Sequence, residues 1–190
     1  MSRVPLQDPE TATGRTREVF DRVASYYGMV PKLQQAMAPM PEITNAVWDL
    51  SLATMKEGSL PEEVKRAIFI VTARAGECDY CVAAHMLGLF RHGWSVDDCA
   101  ELADGAQSPR LGDAENALID YTRVVAVRPA AVTDEMADGL RGHGWTDAQI
   151  VEATMTVALL KYTSTLATAL DIPFEPLMLP LLEGPPFTGV

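Results

Sequence analysis

Helical periodicity punctuated by glycine and proline runs through this chain almost from end to end, and it leaves little room for strands. Apolar residues recur every three to four positions over long stretches, and no run alternates with period two. The breaks fall on Gly28, Pro31, Gly58, Gly93, Gly105 and Gly142, where helices stop. The pattern predicts helices over residues 16–27 and 41–56. A third is read from a Ser59–Glu62 capping box, with Pro61 in its first turn, to Ala75. Others follow over 77–92, from Ser95 to Gly105, over 113–127, from Thr133 to Gly142, and from a Thr146–Gln149 cap to Leu170. The expected fold class is all-α.

A repeat lies inside the pattern. His92-Gly93-Trp94-Ser95 matches His143-Gly144-Trp145-Thr146, 51 residues later. Each copy ends one helix on glycine and caps the next with a hydroxyl. The expectation is a compact helical bundle built from two diverged copies of a helical unit. Residues 1–40 read as an N-terminal helical extension, 41–172 as the main helical domain and 173–190 as a Pro-rich apolar tail. Proline excludes regular helix in that tail. Phe174, Leu177, Met178, Leu179, Leu181, Leu182 and Phe187 must still bury themselves, on this domain or on a neighbouring subunit.

Charge narrows the partners. The 190 residues hold 15 basic and 26 acidic side chains, a net charge of −11. Phosphate backbones and anionic lipid repel such a chain, so neither nucleic acid nor a membrane surface is expected as a partner. The stretch MSRVPLQDPE has no apolar core of signal-peptide length, and no run approaches a membrane span. A cytoplasmic protein is expected. Three cysteines are too few for a disulfide scaffold; close together in a reducing compartment, they point to catalysis or metal.

The chemistry concentrates in Glu77-Cys78-Asp79-Tyr80-Cys81-Val82-Ala83-Ala84-His85. At about 100° per residue, Cys78, Cys81 and His85 share one helix face. Neighbours three and four apart lie about 5 to 6 Å from each other at Cβ. The two cysteines can therefore form a disulfide, and His85 can exchange a proton with Cys81. The free N–H groups and partial positive charge of a first helical turn lower a thiol pKa. A sulfenic acid on one cysteine condenses with a neighbouring thiol. The segment thus supplies a nucleophile, a resolving partner and a base.

Two blander readings fit the same residues: core filling by small apolar cysteines, and a zinc site completed by Cys99 or a carboxylate. Covalent haem attachment would need histidine where Val82 stands. The repeat is an internal control: 51 residues on from Cys78, Cys81 and His85 stand Pro129, Val132 and Met136. The corner is therefore architecture and the thiol cluster an addition. His92 and His143 read as helix-end residues, and Cys99 as a buried thiol that alkylation should reach well after Cys81.

Cys-X-X-Cys-X-X-X-His opening a helix, preceded by EEVKRAIFIVTARAGE and followed by the His-Gly-Trp corner, resembles the alkylhydroperoxidase D-like branch of the carboxymuconolactone decarboxylase family. The resemblance covers roughly residues 40–172. It implies a helical oligomer, a trimer or hexamer. It also implies a thiol peroxidase that reduces hydroperoxides and is reset by a lipoyl-type or thioredoxin-like dithiol, with no cofactor or metal. By the same resemblance Cys81 attacks the peroxide, Cys78 resolves it and His85 relays the proton. The family usually places a glutamate of the relay twelve residues before the first cysteine; here that residue is Arg66. Glu62 and Glu63, one turn earlier on the same face, are the relay candidates, with Tyr80 where some members carry histidine. Alternatives on the same segment are a thiol–disulfide oxidoreductase or redox sensor without efficient peroxidase activity, a decarboxylase or lactone-processing enzyme, and a zinc-binding helical scaffold.

Overall fold

Residues 64–73 are buried without a break, so the helix that contains them has to be enclosed on every side. The computed structural model describes residues 2–182. In chain order its α-helices are α1 (Gly14–Tyr27), α2 (Lys32–Met37), α3 (Pro41–Lys56), α4 (Glu62–Ala75), α5 (Asp79–Leu89), α6 (Val96–Ala103), α7 (Asp113–Val127), α8 (Asp134–Gly142) and α9 (Asp147–Ala169). Short 3-10 segments occur at Phe90–His92, Pro129–Ala131 and Pro176–Leu182. No strand occurs among the described residues, as the periodicity predicts. The enclosed helix is α4, and α5, α6, α7 and α9 pack around it.

The two corners are built alike. Trp94 N–H donates to the Leu89 carbonyl and Trp145 N–H to the Leu140 carbonyl. The Trp94 indole donates to Glu63 and the Trp145 indole to the Ala114 carbonyl, 31 residues back in each case. Gly93 and Gly144 both turn with positive φ, +79° and +89°, which glycine adopts without a Cβ clash. Ser95 with Asp98, and Thr146 with Gln149, form reciprocal capping boxes.

Three local expectations are corrected. The Ser59–Glu62 capping box does not form. Pro61 is extended (ψ 145°) and α4 begins at Glu62; a proline also disfavours helix in the residue before it. The amides of Ser59 and Leu60 donate instead to the Glu152 carboxylate of α9, at 2.9 and 3.2 Å. Residues 32–37, which the pattern assigns to no particular helix, form α2, which buries Leu33, Ala36 and Met37 on one side. The helix expected over 77–92 is α5 followed by a 3-10 turn.

Both ends of the described residues fold back onto the bundle. Arg3 donates to the Thr168 and Ala169 carbonyls at 3.0 Å each, capping the C-terminal end of α9. The tail runs as a 3-10 segment through Pro180, buries Met178 and places Phe174 against Tyr80. Phe187 lies outside the described residues.

Candidate active site

Cys78 is the N-cap of α5, and the amide of Cys81 donates to its sulfur at 3.3 Å. The two cysteines are joined as a disulfide, with Cα atoms 5.3 Å apart. Both are buried, but they face differently. Cys81 lines a cavity of about 440 Å³, and Cys78 does not. The cavity is of the size that small-molecule sites commonly have.

His85, one turn further along α5, lines the same cavity. Its ring lies against Phe69, with centroids 4.4 Å apart at a 35° tilt. Protein encloses the ring except where it faces the cavity, and its Nδ1 is buried with no hydrogen-bond partner. Burial pulls the imidazole pKa down to about 3, and the charge of Arg66 pushes the same way. In the disulfide form His85 is therefore neutral.

This sets a stability signature. The unfolded chain protonates His85 below about pH 6.5, while the fold holds it neutral down to about 3. Between those values the unfolded state binds more protons, so folding stability falls with acid, by up to about 1.4 kcal/mol per pH unit from this group. The expected result is a shallower acid slope for oxidised His85→Gln than for the parent protein in denaturant titrations. Parallel slopes would contradict the buried neutral ring.

The relay candidates separate. Tyr80 lines the cavity and donates its hydroxyl to Glu175 at 3.1 Å. Burial, the charge of Glu175 and that hydrogen bond all raise its pKa, so the phenol stays protonated. Glu62 pairs with Arg66 at 2.8 Å. Glu63 accepts from the Trp94 indole. Neither glutamate lines the cavity, whereas Arg66 does, beside Cys81 and His85.

The remaining walls come from segments with no signal of chemistry in their sequence. Tyr26 and Tyr27 at the end of α1 pack against Trp48 of α3, with centroids 5.6 and 5.5 Å from it. Leu52 and Met55 of α3, Leu159 and Leu160 of α9, and Leu177 and Met178 of the tail add apolar surface. Glu175, also a lining residue, is buried and accepts from the Lys32 amide at 2.7 Å as well as from Tyr80. An acid alone in the apolar run from Ile172 to Met178 was the one available hint.

Cys99 is buried in α6, and burial pushes its thiol up to about 12. Among the described residues no three of His, Cys, Asp and Glu come together as a metal-binding set. Nor is any described helix long and apolar enough to cross a membrane.

Residues 41–124, which carry α3 to most of α7 with both cysteines and His85, match the carboxymuconolactone decarboxylase family. The match covers a little under half of the chain. A curated relative, an alkyl hydroperoxide reductase of Mycobacterium tuberculosis, is 29% identical over 105 residues. That match spans 55% of this chain and 30% of the relative. A crystal structure of a peroxidase-related protein from Ralstonia eutropha JMP134, described as an alkylhydroperoxidase core, superposes with a TM-score of 0.84 at 22% identity. It covers 95% of each chain. The debrominase Bmp8, solved as a cysteine-to-alanine variant in complex with 2,3,4-tribromopyrrole, has a TM-score of 0.78 at 19% identity, again over 95% of each chain. The fold of the chain is therefore the alkylhydroperoxidase-like fold.

Proposed function

We propose that the protein is a thiol-dependent hydroperoxide reductase. The observation that carries this is the opening of the Cys78–Cys81 pair, through Cys81, onto an apolar cavity that it shares with neutral His85. In the reduced protein His85 takes the Cys81 proton, as a base one helical turn away. The Cys81 thiolate attacks the outer peroxide oxygen. An S–O bond forms, the O–O bond breaks, and the departing alkoxide takes a proton to leave as alcohol. Cys81 is then a sulfenic acid. Cys78 is stabilised as thiolate by its N-cap position. It displaces hydroxide from the Cys81 sulfur, closing the disulfide and releasing water once protonated. An external dithiol, lipoyl-type or thioredoxin-like, returns the pair to thiols and is itself oxidised.

A second reading is thiol–disulfide exchange without peroxide chemistry. It is favoured by Arg66, which holds the relay position and cannot accept a proton. The like-built corners support the view of the bundle as two diverged copies of one unit. Exposed Ile43 and Leu50 on α3 and Tyr162 on α9 support a homo-oligomer.

The test mixes reduced protein with cumene hydroperoxide. One alcohol and one Cys78–Cys81 disulfide are expected per chain, and continuous turnover with dihydrolipoamide. A disulfide that forms with oxidised dithiols but not with the peroxide would overturn the reading in favour of exchange.

A further inference from the structure

We propose that the cavity selects an apolar, arene-sized substrate that carries an anionic group, and that Arg66 is the residue that holds the anion. The inference deepens the peroxidase reading, on which it rests for the reacting group alone.

A hydroperoxide is neutral and needs no cation to be reduced by a thiolate, so Arg66 is surplus to the reaction itself. Its burial is nevertheless deep, at 9% exposure, and a buried charge is costly without partners. Its Nε donates to one oxygen, Oε1 of Glu62, and Nη2 forms an ion pair with the same oxygen, each at 2.8 Å. A guanidinium carries five N–H donors, so most of the fork has no other hydrogen-bond partner among the described residues and borders the cavity. The side chain is also held in place. It lies across Gly88 so closely that a Cβ there would collide with it. Gly88 is three residues after His85, so the guanidinium is fixed near the base, and its charge is felt at the imidazole.

The rest of the cavity fits the apolar part of such a substrate. Tyr27, Trp48, Phe69, Leu159 and Met178 form the walls, and a second guanidinium, Arg91, also reaches the lining. Two cations on one cavity run against the net charge of −11. The cavity's own carboxylate, Glu175, is already engaged by the Tyr80 hydroxyl and the Lys32 amide. A carboxylate on the ligand would receive the open face of the Arg66 fork, a charge-assisted pairing that a neutral isostere cannot make.

The experiment is calorimetry on the oxidised protein with two probes of one shape, 4-isopropylbenzoate and 4-isopropylbenzamide. The benzoate is expected to bind about tenfold or more tightly than the benzamide, in proportion to a charge-assisted hydrogen bond. Arg66→Met should abolish that preference and leave benzamide binding in place, while Arg66→Lys should keep part of it. Equal binding of the two probes, binding of neither, or a preference that survives Arg66→Met would overturn the proposal. Should Arg66→Met fail to fold by circular dichroism, the comparison within the parent protein and Arg66→Lys decides. No peroxide enters this assay. Lost preference with cumene hydroperoxide turnover intact sinks the anion site alone, and the reverse pair of results sinks the peroxidase alone.

Discussion

Cys81→Ser is expected to cut hydroperoxide consumption by about a thousandfold or more, to the background of the dithiol alone. In Cys78→Ser, by contrast, one equivalent of peroxide should still be consumed before turnover stops. The asymmetry follows from the two sulfur environments. Cys81 lines the cavity with His85, and Cys78 sits behind it as the helix N-cap, accepting the Cys81 amide. Only the first can meet a peroxide held in the cavity. The second is placed to become a thiolate and close on a sulfenic acid. Cys81→Ser removes the nucleophile, whereas Cys78→Ser removes its resolver and strands Cys81 as sulfenic acid, which dimedone should label. Equal losses in the two variants, with no dimedone adduct on Cys81 in Cys78→Ser, would remove this division of roles. Cys99 offers no rescue, because its thiol is buried and held up at about 12.

Much of this arrangement was legible before any coordinates. Glycine and proline stops are local chemistry, so the boundaries of α3 and α7 and the caps at Ser95, Thr133 and Thr146 could be read directly. The Cys-X-X-Cys-X-X-X-His spacing is likewise local; it put Cys78, Cys81 and His85 on one face, and of these Cys81 and His85 line the cavity while Cys78 is the N-cap. What could not be read is whatever depends on distant segments meeting. The Ser59–Glu62 pattern is a sound local signal, yet it lost to a carboxylate 93 residues beyond Ser59. Glu62 and Glu63 were near enough in sequence to be relay candidates. Tertiary partners claimed both, Arg66 for one and the Trp94 indole for the other. The Tyr26–Tyr27–Trp48 wall and Glu175 reach the site only because α1, α3 and the segment after α9 meet around one cavity, and no periodicity encodes that. The character of His85 also needed the fold. Spacing made it a base candidate, and only burial against Phe69 beside Arg66 shows that it stays neutral.

Glu152→Gln is expected to lower folding stability by about 3–5 kcal/mol, the range for stranding a buried charge. For a chain of this size that moves the unfolding midpoint on the order of 10 °C. Lys65 is 2% exposed and pairs with Glu152 at 2.8 Å. Its other partner is the Glu57 carbonyl, at 2.6 Å. Glutamine keeps the volume and an acceptor for the Ser59 and Leu60 amides, so what is lost is the charge facing Lys65. Burial raises the Glu152 pKa, but the bonds from Lys65 and the two amides outweigh it and leave the carboxylate below its ordinary value. Its contribution is thus complete above the unfolded carboxyl pKa of about 4.3 and lost as pH falls through the folded one. The gap between parent and variant should therefore close in acid. Adding Lys65→Met removes the stranded ammonium and should recover more than half of the loss, a coupling that a double-mutant cycle reads directly. A single variant within about 0.5 kcal/mol of the parent would show that the pair carries no such weight. The consequence reaches the cavity, because Glu152 clamps the turn between α3 and α4. Those helices carry Trp48 on one side and Arg66 and Phe69 on the other. A protein loosened at Glu152 should bind apolar probes more weakly while its Cys78–Cys81 pair, held at the start of α5, still closes.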